Sequence, residues 1–336
     1  MKQRAHAWAA LRALKILDDS KKAPKLVELL SYYLSDVWEG AWLPDTLIVH
    51  MGYGHIFKMD DNSKFIGFKA KAKRAKVPYQ KLKSMLKGKR LCLEYIKNSK
   101  VLNKHYWSYE GHLPNKVIAL SQTAGDMLKM ADYPIAFYVK KEKPKGYTGF
   151  LTEKSIKDLS LSPNFSARHI ALTFFILSHY ICDCHMPLHC DLRDFNLKGK
   201  ERRLPKELHS SIEDKWEGYF PSKEILILNG QTKLSVSKIV GMFPENSIIK
   251  VDIDKKYFFG KNICSIAGDE WLEMANIARV SFALAREWIS RDYKDVEELI
   301  KDKGEKDFEE VTNCIFHDAV QSIAMIWCKA WNRYIK

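Results

Sequence analysis

The chain has 336 residues, 46% hydrophobic and 12% aromatic, with 55 Lys and Arg against 41 Asp and Glu and a formal charge of +14. That length and apolar content exclude a disordered chain and allow one large core or two domains. The charge favours polyanionic partners such as nucleic acid, an anionic lipid surface or a phosphorylated substrate, and says nothing about fold.

In chain order, apolar residues at 8, 9, 11, 13, 14, 16 and 17 predict an amphipathic helix over Ala5 to Leu17. The opening "MKQRAHAWAALRALKILDD" lacks the apolar core and cleavage site of a signal peptide, so the expectation is a cytoplasmic protein, or a secreted one if a leader was trimmed. Pro24 can open a second helix over "KLVELLSYYLSDVW", followed by a loop, "EGAWLPDTLIVHMGYGHIFKMDDNSKF". Residues 69 to 98 and 114 to 132 read as helical, and 69 to 90 carry ten basic residues and no acidic one. That run reads as a solvated basic surface, or as one that meets an anionic membrane or nucleic acid. "KKEKPKGYTG" is an exposed turn. A long helix should run from about Ser166 to Asp183 and a shorter one from about Pro205 to Trp216. Residues 220 to 262 have β-like character and read as an insertion, and two last helices, about 266 to 291 and 305 to 334, close a bundle. No stretch approaches the roughly eighteen apolar residues of a membrane span, so no transmembrane segment is expected. The expected architecture is all-α: one mainly helical domain over 1 to 336.

The densest chemistry lies in "SHYICDCHMPLHCD" at 178 to 191, which holds three histidines, three cysteines and two aspartates. His179 and Asp183 are four apart, so a helix presents both on one face. Pro187 then breaks the helix and lets His189 fold back towards that face. His209 and Glu213 in "ELHSSIEDKW" repeat the four-residue spacing. With His6 on the first helix and Asp45 and His55 flanking the loop, eight ligands can face one interior. One zinc takes three or four ligands, so eight suggest two or three metals, with a carboxylate bridging a pair. His50 and His105 compete with His55 for its role.

Seven cysteines, with Cys182, Cys184 and Cys190 clustered and the rest scattered, make a poor disulfide framework and favour a reducing compartment. Buried thiols are the default reading of these three, and a thiolate site of Cys184, His185 and Cys190 is the alternative. His185 is expected to pack or hydrogen-bond beside the ligands. Trp38, Trp42, Trp107 and Trp216 read as core first and as a substrate platform second.

These segments resemble, in order, the zinc-dependent phospholipase C family and its relatives, the single-strand-specific zinc nucleases. "HYICDCHMPLH" is similar to the family's His-Tyr-x-x-Asp-x-x-x-Pro-x-His motif, "AHAWAALRALKIL" to its first helix, "GAWLPDTLIVHMGYGHIFKMDDNSKF" to its aspartate-to-histidine segment and "LHSSIEDKW" to its late pair. The resemblance covers residues 6 to about 216, with the basic run and the 220 to 262 segment as insertions. It implies an all-helical fold with three zinc ions in a cleft. Asp45, His55, His179 and Asp183 would hold the first ion, His189, His209 and Glu213 the second, and His6 with the bridging Asp183 the third. The family also uses the amine and carbonyl of an N-terminal tryptophan on that ion, and Met1 stands there in this chain.

The implied chemistry is phosphodiester hydrolysis by zinc-activated water, with Asp45 orienting or deprotonating that water. Glu213, and the lack of paired glycines in "CDLRDFNLKGKERR", lean towards the phospholipase C branch. The charge and the basic run lean towards a nuclease or nucleotidase on single strands. A non-catalytic metal- and anion-binding protein is the third expectation. The substrate would be a phosphodiester, in a phospholipid headgroup or in nucleic acid.

Overall fold

The computed structural model describes residues 1–48, 52–59, 109–132, 167–195, 202–220 and 270–335. The basic run, the predicted helix at 69 to 98, the turn at 140 to 149, nearly all of the β-like 220 to 262, His50, His105 and Trp107 lie outside them. Among the described residues the fold is all-α, with one two-residue hairpin pairing as its only sheet. No described helix is long and apolar enough to cross a membrane.

The order is α1 (Gln3–Ser20), α2 (Pro24–Tyr32), α3 (Val37–Gly40), α4 (Leu43–Thr46), β1 (Lys58–Met59), β2 (Tyr109–Glu110), α5 (Leu113–Asp132), α6 (Ala167–Cys184), α7 (Lys206–Glu217), α8 (Glu270–Trp288), α9 (Val296–Lys303) and α10 (Glu305–Ile335). The predicted helix after Pro24 stops at Tyr32, then passes through a 3-10 turn at Leu34–Asp36 into α3. The predicted loop after residue 39 contains α4, a 3-10 turn at Gly52–Gly54 and β1. Both differences have one cause: periodicity resolves long amphipathic runs and misses one-turn elements held by tertiary contacts. Likewise α8 ends at Trp288 rather than 291, and α9 follows, opened by Asp295, whose side chain accepts from the Glu297 and Glu298 amides.

Helix α6 is the axis of the bundle. Its sequence "IALTFFILSHYICDC" is apolar on nearly every face, and such a helix is stable only when surrounded. Helices α1, α5, α8 and α10 pack around it. Trp8, Trp216, Phe220 and Phe316 form an edge-packed aromatic cluster between α1, α7 and α10. The indole N–H groups of Trp216 and Trp327 donate to Thr312 Oγ1 and to the Phe174 carbonyl, both at 2.9 Å, so these buried rings lose no hydrogen bond. The open amides at the start of α1 are met by Glu217 at the end of α7: the Arg4 and Ala5 N–H groups donate to its two oxygens at 2.8 and 3.2 Å. That contact fixes where His6 enters the interior.

Close approach of α3 to α6 requires Gly40. A Cβ built there would lie 2.8 Å from Phe175 Cβ. Gly40→Ala is expected to destabilise the protein by about 1–3 kcal/mol through overpacking. Urea denaturation of the variant against the parent checks this. An unchanged midpoint would show that the α3–α6 contact yields freely.

Candidate metal centre

Because the C-terminal half of α6 is enclosed, its two polar residues on one face are buried with it. His179 and Asp183 are essentially inaccessible. After Cys184 the chain turns through a 3-10 segment at Pro187–Cys190, where Pro187 can no longer donate to a helix. The Phe57 amide donates to the His189 carbonyl at 3.1 Å, holding this return against β1. His189 Nδ1 then lies 3.5 Å from Asp183 Oδ1. Helix α7 brings His209 and Glu213 from the opposite side, α1 brings His6, and the α4 segment brings Asp45 and His55.

Asp183 sits between two groups. Its Oδ2 faces His55 Nδ1 at 2.9 Å and His179 Nε2 at 3.1 Å. Its Oδ1 faces His6 Nε2 at 3.4 Å and the Met1 amine at 3.5 Å, besides His189. The same amine lies 2.5 Å from Glu213 Oε1, so the carboxylates of Asp183 and Glu213 stand within one cluster. Glu213 Oε1 is 3.1 Å from His209 Nε2 and 3.7 Å from His189 Nε2. All nine residues named from the sequence, Met1 included, therefore converge. Three sets hold ligand atoms within 4.8 Å of one another: His6, Asp45 and His179; His55, His179 and Asp183; His189, His209 and Glu213. His6 is thus placed to share an ion with Asp45 and His179 as well as with Asp183, a looser division than the resemblance implies.

Hydrogen bonding within the protein does not account for this arrangement. His179 Nδ1 is 2.7 Å from the Ala41 carbonyl, which can only accept, so Nδ1 carries a proton and Nε2 is the nitrogen turned to the cluster. Nε2 faces Asp183 Oδ2 at 3.1 Å, Asp45 Oδ1 at 3.6 Å and His55 Nδ1 at 3.1 Å, and His55 Nδ1 is 3.5 Å from Asp45 Oδ1. A proton on His55 serves one of these pairs, whereas a cation at the centre serves all. Tetrahedral ligands bound at about 2.0–2.1 Å stand roughly 3.4 Å apart, and the observed separations bracket that value. Elsewhere in the cluster both nitrogens of His6, and His189 Nδ1, are buried without a hydrogen bond. Buried polar atoms left this way are costly unless something else binds them.

The electrostatics agree. Burial opposes ionisation of Asp183, but His179, His189 and the Met1 amine outweigh it and hold the carboxyl well below the usual range. Burial likewise opposes charge on His179, yet Asp183 and Asp45 raise it to about 9. His6, where burial wins and the charge of His179 adds to it, is lowered to about 4. Asp45 is the most exposed of the set, its side chain 30% accessible. Burial works against its ionisation, and the hydrogen bond from His179 overrides that and lowers its pKa.

Among the described residues no cysteine belongs to any of the three candidate groups. Cys182 Sγ lies 3.1 Å from Met1 Sδ, Cys184 donates to the Met274 carbonyl and Cys190 to the Cys184 carbonyl. His185 is turned away to Ser322 Oγ on α10, at 3.0 Å, so it braces helices rather than ligands. Trp38 and Trp216 are core, while Trp42 is only half-buried, its ring 6.1 Å from His6 and 6.2 Å from His179. Two partners escaped the sequence reading. Asp194 Oδ2 accepts from His209 Nδ1 at 2.8 Å, and Lys58 Nζ lies 3.2 Å from the same oxygen. The short spacing from His189 to Asp194 was the one signal available.

No protein-family model, no curated protein and no solved structure matches the chain, so its chemistry is read from this centre alone.

Proposed function

We propose that this protein is a zinc-dependent phosphodiester hydrolase of the phospholipase C-like kind. The observation that supports this best is the convergence of Asp45, His55 and Asp183 on His179 Nε2 at 3.1–3.6 Å, separations that suit the ligands of a tetrahedral cation. Asp45, His55, His179 and Asp183 would hold one ion, His189, His209 and Glu213 a second, and His6 with Asp183 a third. Imidazole and carboxylate donors at these separations fit zinc. Bound zinc would supply a Lewis acid for the phosphoryl oxygens and lower the pKa of water to near 7.

The chain's own residues then divide the remaining work. Asp183, whose two oxygens face different groups, would offer one oxygen to each of two ions, the kind of shared donor that two-metal phosphoryl chemistry uses. Asp45, ionised and on the open edge, is placed to accept a proton from an attacking water. The Ala41 carbonyl holds the Nδ1 proton of His179 and with it the ring orientation, so Nε2 is the nitrogen offered to an ion. Asp45→Asn is expected to keep most of the zinc and to lower turnover by about 10²–10⁴-fold, the usual contribution of a general base. Metal analysis beside a rate measurement separates this from a ligand-only role, in which zinc is lost as well.

A second reading, hydrolysis of single-stranded nucleic acid, draws on the charge of +14 and the basic run. Metal analysis followed by turnover of phosphatidylcholine, single-stranded DNA and RNA, and a chromogenic diester decides between them. Lipid turnover with two to three zincs supports the first reading, and salt-sensitive nucleic-acid cleavage the second. A chain that binds metal and turns over nothing is a metal- and anion-binding protein.

A further inference from the structure

One buried lysine in this fold ends beside a partner of the candidate ligands. Lys58, on β1, is only 2% exposed, and lysines are almost never buried to that degree without a paired charge. Its ammonium donates to the Leu188 carbonyl at 2.5 Å, and lies 3.2 Å from Asp194 Oδ2 and 3.4 Å from the Asp194 carbonyl. Asp194 ends the 3-10 segment Leu192–Asp194 and is itself buried. Its Oδ1 accepts from Arg202, and its Oδ2, shared with Lys58, accepts from His209 Nδ1 at 2.8 Å. The carboxylate can only accept, so a His209 proton sits on Nδ1 and Nε2 is the nitrogen turned to Glu213 Oε1, 3.1 Å away.

A neighbouring pair shows what a plain structural tie looks like here. Arg193 binds Asp191 at 2.6 Å, and its guanidinium also donates to the Ala285 and Ile289 carbonyls at the end of α8. That pair closes a helix terminus and touches no ligand. The Lys58 ammonium likewise meets carbonyls of two 3-10 segments, at Leu188 and Asp194, but the Asp194 carboxylate also reaches His209. As fold glue a buried Lys–Asp pair is a poor choice, since apolar replacements of similar volume are often as stable or more so. What the pair does uniquely is hold one imidazole in one tautomer and one orientation.

We propose that Asp194, neutralised and anchored by Lys58, is the positioning residue for His209, dedicated to the ion that His189, His209 and Glu213 would hold. This rests on the reading of those three as a metal site, and it adds an asymmetry between the sites. His179 leans on a neutral carbonyl, whereas His209 leans on a carboxylate, which makes its Nε2 the more basic donor. The second ion therefore depends on Asp194 and the others do not.

The test uses the purified full chain loaded with zinc, and compares Asp194→Ala, Asp194→Asn, Lys58→Met and, as the structural control, Arg193→Met. Zinc content is followed against a graded chelator, the cobalt-substituted proteins are compared by visible absorption, and metal-free and loaded forms are unfolded in urea. Asp194→Ala should weaken one ion by about 10–100-fold, the usual effect of removing such a partner, and change one part of the cobalt spectrum. Asp194→Asn should restore most of that affinity. Its amide oxygen can replace Oδ2 opposite His209 and Lys58, while its NH₂ would take the place of Oδ1 beside Arg202. Lys58→Met should fall between the two. Arg193→Met should lower the stability of metal-free and loaded forms alike, with no ion singled out.

The proposal is overturned if Asp194→Ala weakens all ions equally, if Asn is no better than Ala, or if every ion keeps its parental affinity. Should the parent chain itself take up no zinc, both this inference and the proposed function fall. Should the parent bind its full set while Asp194→Ala changes nothing, the inference falls alone.

Discussion

Asp183→Asn should release two ions together and abolish hydrolysis. The substitution keeps the size of the side chain and removes its charge and one acceptor oxygen. Oδ2 serves the group with His55 and His179, and Oδ1 the group with His6 and His189, so neither orientation of the amide can serve both. Its NH₂ would point at imidazole nitrogens or at a bound cation. Residues acting as one unit lose nearly the whole effect when one is removed, so a fall in turnover on the order of 10³-fold or more is expected. Metal analysis reads the stoichiometry, and circular dichroism shows whether the helices persist. Loss of a single ion would mean that Asp183 is a terminal ligand and that the sites are separate.

Stripping the metal should cost the largest share of stability. The ligands come from α1, the α4 segment, α6, the return after Pro187, the segment at His55 and α7, so ions at the centre would add polar cross-ties between elements that share one core. Helix α7 shows this most clearly: of its twelve residues only Leu208, Ile212 and Trp216 are buried. At free zinc about a thousandfold above Kd, binding contributes about 4 kcal/mol, and for a chain of this size that is on the order of 10 °C in Tm. Scanning calorimetry with and without chelator measures it.

The pH dependence gives this prediction a sign. Without a cation the His179 pKa is raised from 6.5 to about 9, so its contribution to stability is complete below 6.5 and is lost as pH rises through 9. The ion instead needs the neutral imidazole, so from pH 9 downwards its apparent affinity falls by up to about tenfold per unit for this one proton. The gap between metal-free and loaded stability should therefore widen from pH 6.5 to 9. A gap that narrows would show that His179 does not meet the ion. Calorimetry in buffers of different ionisation enthalpy should find proton release on zinc uptake at pH 7.

What the sequence determined by itself is local and periodic. The His179–Asp183 and His209–Glu213 pairs were legible because a helix places residues four apart on one face, whatever surrounds it. The return of His189 was legible because Pro187 must end α6. That α6 lies at the centre follows from its apolar residues on every side, which leave it no stable place at a surface. Tertiary structure alone decided the rest, because those interactions join residues far apart and break local expectations. Nothing near Lys58 in sequence distinguishes it from a surface lysine, and its partner Asp194 lies 136 residues away. The tautomer of His179 depends on the Ala41 carbonyl, which reaches it only because Gly40 lets α3 approach α6. Spacing can nominate the groups that bind an ion. Which proton each imidazole carries, and which carboxylate faces two ways, are set by the low-dielectric interior that the packed helices create.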